Sequence, residues 1–169
     1  MGVQTLTGSA IYSPCKKYRY TLTREWEFMG DIPDKGRLTF VMLNPSTATA
    51  ETVDATVRGC LTRAKTWGFT SLSVVNIFAW RSTDPKVLRT LEDPVGFEND
   101  AHILEQARRG TVICAWGTAT PLAHARGKSV TALLQGAGVK MHYLKLNKDG
   151  TPAHPLYLAF NNLPKVWTP

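Results

Sequence analysis

Several short stretches of this 169-residue chain carry side chains suited to polar recognition and proton handling. Asn44-Pro45-Ser46-Thr47 follows the apolar run LTFVML. Proline removes an amide donor and fixes the turn, which leaves the Asn44 carboxamide and the Ser46 hydroxyl at its mouth. The Asn44 oxygen could hold a water for attack, or the Asn-Pro pair could simply make the turn. Asn76 interrupts a second apolar run, VVNIFAW. A buried amide left unpaired costs ~1–3 kcal/mol, so Asn76 either pairs with nearby backbone or offers a donor and an acceptor to a ring edge. Phe78 and Trp80 behind it could stack on a ring or fill the core. Arg81 is a phosphate contact or a surface charge. Trp116-Gly117-Thr118 closes a third run. Arg126, Lys128 and Ser129 follow near a helix start, a mixture of charge and hydroxyl suited to phosphate or to a solvated loop. His154-Pro155-Leu156 lies in a Gly/Pro-rich loop, where binding and catalytic groups concentrate. Asp54, and less strongly Glu51, stands near the start of a helical pattern, where an acid either caps the helix or faces a cleft as a base.

These groups need elements to bring them together. Leu38–Leu43, Leu72–Ile77, Thr111–Ala115 and Val139–Leu144 are short, nearly continuous apolar runs, as expected of strands buried on both faces. Between them, residues 53–67 carry apolar side chains at helical spacing, residues 97–109 read as a second helix, and residues 119–135 as one or two more. Thr52 is the expected cap of the first helix and Gly68 its end; Gly110 and Gly136 are expected to end the other two. Alternating strands and helices predict a parallel sheet with helices on both faces. Ligands of such sheets bind outside the carboxyl ends of the strands, where Asn44, Asn76 to Arg81, Trp116-Gly117 and the loop carrying His154 all fall. Residues 9–28 read as a β-hairpin, residues 30–37 as a loop, and residues 147–169 as mostly loop. The expected architecture is one domain: a hairpin extension over 1–36 and a three-layer α/β/α core with a four-stranded, mainly parallel sheet over 37–169.

Composition narrows the partner. Lysine and arginine outnumber acids 20 to 13, a net charge of +7. A surplus of that size on a small domain suits a polyanion, nucleic acid first, or merely keeps a protein soluble. Cys15, Cys60 and Cys114 are far apart and odd in number, which fits a reducing cytoplasm. The four histidines lack ligand spacing, so no metal site is expected. No apolar run approaches the ~20 residues of a membrane span. The first residues lack a signal-peptide core, so export is not expected, and Leu6 sits where N-myristoylation needs Ser or Thr.

The order of the pieces resembles the uracil-DNA glycosylase superfamily over residues 38–158. An apolar strand ends in Asn44-Pro45, a second carries Val75-Asn76-Ile77, a third ends in Trp116-Gly117, and His154-Pro155 follows. The chain also resembles a family of short bacterial and phage-associated proteins known only as a domain of unknown function, through MLNPSTA, VDATVRGC, VVNIFAWRSTDP, AWG and HPLYL. The glycosylase resemblance implies a water-positioning Asn44, a pyrimidine-reading Asn76 and a His154 that stabilises the departing base. Asn44 is the mismatch-type variant of that motif, and a carboxamide is a poor base, so Asp54 is the candidate proton acceptor. Leu156 stands where the superfamily has a phosphate-binding Ser, and no bulky ring follows Pro45, which opens the pocket to 5-substituted pyrimidines.

The expected activity is a cofactor-free DNA N-glycosylase that flips a modified pyrimidine, such as the hydroxymethylated or glucosylated cytosine of phage DNA, out of duplex DNA. Asn44, Asp54 and His154 are its expected catalytic groups. Asn76, Phe78, Ser46 and Trp116 are its base pocket, and Arg81, Arg126, Lys128 and Ser129 its DNA contacts. It is expected to act as a monomer, in anti-phage defence. The alternatives are uracil or mismatched-thymine repair, a non-catalytic DNA- or nucleotide-binding module, and a hydrolase or transferase acting on free nucleosides or nucleotides.

Overall fold

The computed structural model describes residues 6–27, 30, 34–117 and 120–169. Phe28, the middle of the 30–37 loop, Thr118 and Ala119 lie outside these residues. The elements run β1 (Leu6–Tyr12), β2 (Arg19–Trp26), β3 (Arg37–Met42), α1 (Ala55–Thr66), β4 (Ser71–Asn76), α2 (Asn99–Ala107), β5 (Gly110–Cys114), α3 (Pro121–Gly136), β6 (Met141–Tyr143) and β7 (Lys165–Val166), with 3-10 turns at Pro85–Thr90 and Pro155–Tyr157.

The seven strands among the described residues form one mixed sheet in the order β1-β2-β4-β3-β5-β6-β7. The four expected strands are its centre: β4 to β3, β3 to β5 and β5 to β6 pair in parallel. The outer pairings, β1 to β2, β2 to β4 and β6 to β7, are antiparallel. Alternate side chains sort the core to two faces. Leu38, Phe40, Met42, Leu72 and Val74 pack with Val57, Cys60 and Ala64 of α1. Val41, Val75, Val112 and Cys114 pack on the opposite face with Ile103 and Ala107 of α2 and Val130 and Leu134 of α3.

The expectation of a four-stranded core with a separate hairpin is corrected on two counts. β2 pairs with β4 from Leu22↔Val74 to Glu25↔Ser71, so the hairpin is one flank of the main sheet. The reason is burial: Arg19 to Leu22, Arg24 and Trp26 are all sequestered, the pattern of a strand covered on both faces. The C-terminal stretch expected to be loop supplies β7. Three helix-end assignments change as well. Asp54, not Thr52, caps α1, its Oδ1 accepting from Val57 N at 2.9 Å. Gly110 opens β5 instead of ending α2, and Gly136 is the last residue of α3. Gly68, at φ 87°, does terminate α1.

The chain leaves β3 toward β4 on one side and leaves β5 toward β6 on the other. The topological switch point therefore lies between the carboxyl ends of β3 and β5, where a crevice must open because the two crossovers pack on opposite faces. Asn44 follows β3 there, and Trp116-Gly117 follows β5.

Trp116 is 2% exposed and is seated against α3, where a Cβ on Gly127 would stand 2.6 Å from its Nε1. Alanine is ordinarily the better helix former by ~1 kcal/mol. We expect Gly127→Ala instead to destabilise the protein by ~1–3 kcal/mol through overpacking. Urea denaturation measures this; an unchanged or higher midpoint would mean that the indole yields freely.

Candidate active site

Site geometry begins with β2. Arg19, at its first position, is 2% exposed. Its Nη1 donates to the carbonyl of Ala48 at 2.8 Å, and Arg24 from the same strand donates to the carbonyls of Thr49 and Thr52. Two guanidinium groups thus hold the irregular segment between Asn44 and Asp54 by supplying donors to three of its carbonyls. Burial lowers the Arg19 pKa to about 10, with Asp54 opposing the shift, so the group stays cationic at neutral pH. It makes no ion pair among the described residues, and its Nε has no partner.

The clamped segment and the strand ends enclose a pocket of about 480 Å³. Asn44, Ser46, Asp54, Asn76, Trp116 and His154 all line it, joined by Arg19, Ser82, Thr83 and Tyr157. Six residues expected from the sequence to act together are therefore neighbours of one cavity.

Each polar group arrives with a defined free end. The Asn44 Nδ2 donates to Ser82 O at 2.8 Å and Pro45 O at 3.1 Å, and two carbonyl partners fix which end is nitrogen. Its Oδ1 is left for the pocket. Asn76 is 2% exposed, and its Oδ1 is buried without a partner. Its parity with Leu72 and Val74 turns it to the α1 face. The backbone beneath it is fixed, because Asn99 Nδ2 donates to Asn76 O at 2.8 Å and Arg126 Nε to Ile77 O at 2.8 Å. Asp54 spends Oδ1 on the α1 cap and keeps Oδ2.

His154 precedes the 3-10 turn at Pro155. Its Nδ1 accepts from Leu156 N at 3.3 Å, so the neutral ring carries its proton on Nε2 as a donor. Burial holds this imidazole below its ordinary pKa, while Asp54 pulls the other way. The segment is tied down on both sides: Gly117 N donates to Pro152 O at 2.8 Å, and Arg63 Nη2 to Leu158 O at 2.6 Å.

The remaining expected site residues lie elsewhere. Phe78 is 1% exposed within the α2 and α3 core and is not a pocket wall. Arg126 is engaged inside the protein, by Ile77 O and by an ion pair with Asp100, and so it braces the end of β4. Lys128 and Ser129 are exposed on α3, away from the pocket lining. Arg81 lies against the β1–β2 turn, its Nη1 donating to Lys16 O at 3.1 Å. Arg19, Ser82 and Thr83 were not expected. Arg19 shows no sequence signal, because a strand arginine reads as a surface charge until its partner 29 residues away is known. Burial pushes the Cys60 thiol up to about 12 and raises Cys114 too, so neither offers a thiolate nucleophile. Among the described residues no cluster of His, Cys, Asp and Glu could hold a metal ion, and no helix is long and apolar enough to cross a membrane.

A family described as "protein of unknown function (DUF1643)" matches residues 19–156. The chain belongs to this family. The match begins at Arg19 and ends at Leu156, so it contains every pocket residue except Tyr157. No curated protein and no solved structure matches.

The His154 environment has a consequence for stability. The unfolded chain takes up a proton at this imidazole near pH 6.5, before the folded chain does. Linkage then lowers stability as pH falls through that value, until the folded group also protonates. Denaturant midpoints measured from about pH 7.5 to about pH 5 should fall further for the wild type than for His154→Gln. Parallel curves would show that the fold does not hold the ring neutral.

Proposed function

We propose that this protein is a monofunctional DNA N-glycosylase acting on a modified pyrimidine, with hydroxymethylated or glucosylated cytosine favoured. One observation carries the reading. A single crevice at the switch point collects a carboxamide with an unpartnered oxygen (Asn76), a free amide oxygen (Asn44), a carboxylate (Asp54) and a neutral imidazole with its N–H available (His154). Among the described residues, these supply each role that glycosidic hydrolysis of a pyrimidine demands.

In this reading the flipped base enters with its edge against Asn76, whose orphaned oxygen gains the donor it lacks. As the C1′–N1 bond breaks, its electron pair passes to the base, and negative charge grows on the exocyclic carbonyl oxygen O2 of the base. The His154 Nε2–H donates to that oxygen, a stabilisation that a neutral imidazole provides without adding a second buried cation beside Arg19. Water held by Asn44 Oδ1 attacks C1′ of the oxocarbenium-like sugar, and Asp54 balances its charge and accepts the water proton. Asp54 returns its proton to solvent, the departed base anion takes one up, and the products are a free base and an abasic site. The pocket falls within the ~300–1,000 Å³ range of small-molecule sites. A bare pyrimidine ring is small against it, which favours a substrate with a substituent. Such an enzyme would act in defence against DNA carrying those bases.

The test is incubation with duplexes carrying uracil, a G·T mismatch, 5-hydroxymethyluracil, 5-hydroxymethylcytosine or glucosylated hydroxymethylcytosine, followed by alkali. Strand cleavage is expected for a 5-substituted cytosine. Asn44→Ala, Asp54→Ala and His154→Gln should each slow it by roughly 10²–10⁴-fold while remaining folded. Cleavage confined to uracil or G·T would instead make this a repair enzyme. Tight binding without cleavage of any duplex would make it a binding module, and turnover of free nucleosides alone would place it outside DNA chemistry.

A further inference from the structure

We propose that the tip of the β1–β2 hairpin, Lys16 and Lys17 together with Arg81, is a docking surface for the phosphodiester backbone of the DNA strand whose nucleotide enters the pocket. The inference rests on the DNA reading above and names a surface which that reading does not specify. Lys16 and Lys17 are exposed, and none of the three cations makes an ion pair among the described residues. Three cations without ion pairs, two in the turn and Arg81 packed against it, form a local positive field that fits a polyanion.

Aromatic rings hold these charges in place. Lys16 Nζ lies 5.4 Å and the Arg81 guanidinium 5.0 Å from the centre of the Tyr12 ring, and Lys17 Nζ lies 5.9 Å from that of Trp80. Ring faces occupied by cations are not free to stack on bases, so the surface reads charge rather than sequence. The tip is also rigid. Arg81 N donates to Lys17 O at 3.0 Å, Arg81 Nη1 to Lys16 O at 3.1 Å, and Tyr18 Oη to Asp93 O at 2.7 Å.

Position decides the role. Ser82 and Thr83, next in sequence to Arg81, and Arg19, two residues beyond Lys17, are walls of the pocket. A strand lying across the tip therefore passes the pocket mouth, and charge there holds the flanking phosphates while one nucleotide turns inward. The α3 patch of Lys128 and Ser129 has no such adjacency.

The experiment compares the full-length protein with Lys16→Glu/Lys17→Glu and with Arg108→Glu/Lys140→Glu. The second pair sits at the amino ends of β5 and β6, the far edge of the sheet. Both variants lower the net charge of +7 by the same four units. Binding to an unmodified labelled duplex is followed across a salt series, so the readout does not depend on excision. The hairpin variant should lose tenfold or more in affinity, and its log–log salt slope should flatten by ~2, while the far-edge variant keeps both. Cys15, the one exposed cysteine, lies beside Lys16, so duplex DNA should also slow its alkylation in the wild type. An unchanged hairpin variant, equal losses in both variants, or unprotected Cys15 would overturn the inference and leave the pocket reading standing. A wild type that binds no DNA at low salt would overturn both.

Discussion

The site depends on two arginines placed where a strand ordinarily hides apolar side chains. Arg19 and Arg24 each stand 2% exposed in β2 and send their guanidinium groups to the carbonyls of Ala48, Thr49 and Thr52. Burying a guanidinium is costly unless its fork of donors is used. Here it replaces the hydrogen bonds that a helix or strand would have supplied to the segment after Asn44. Ala50 O closes the same segment against β1, where a Cβ on Gly8 would stand 2.0 Å away. The outer hairpin thus fixes the shape of a loop that begins with Asn44 and ends with Asp54. Without that flank the parallel strands would still form a sheet, but the carbonyls of Ala48, Thr49 and Thr52 would lose their guanidinium donors.

Topology does the rest. Crossovers leaving β3 and β5 in opposite directions open the crevice, and residues one or two positions beyond each strand end reach it without long loops. Asp54 shows how little extra structure is needed. Helix α1 must begin just there to return the chain to β4, and its cap must be a short acceptor. A carboxylate has two oxygens where the cap needs one, so the residue that starts the helix also places a charged oxygen at the pocket wall.

What the sequence made legible is what local pattern encodes. The runs at 38–43, 72–77 and 111–115 are strands because continuous apolar character over five or six residues fits little else. Asn44, Asn76, Trp116 and His154 are visible because each interrupts or ends such a run. Partners distant in sequence leave no such trace. Arg126 resembles a phosphate ligand beside Lys128 and Ser129 until Ile77 O and Asp100 are found against it. Phe78 follows Asn76 and so resembles a pocket wall, yet the strand end turns it to the opposite face. The hairpin looks like an appendage because its aromatic and threonine content resembles a wet edge, while its pairing partner, β4, lies some fifty residues on.

The charge balance of the pocket limits the chemistry it can support. Arg19 is a permanent cation in a place with little water, and Asp54 is near enough to influence both it and His154. Protonating His154 would put two cations beside one carboxylate, which burial already disfavours. The ring is therefore held as a neutral group with its N–H at Nε2, its tautomer set by Leu156 N. A neutral donor suits a leaving group that acquires negative charge, because the interaction strengthens as the bond breaks and requires no prior proton transfer. A site built to protonate a leaving group would need the opposite environment, with the acid's pKa raised. On the proposed reading, the burial of His154 favours charge stabilisation over acid catalysis, and Asp54 is the group left to take a proton from water.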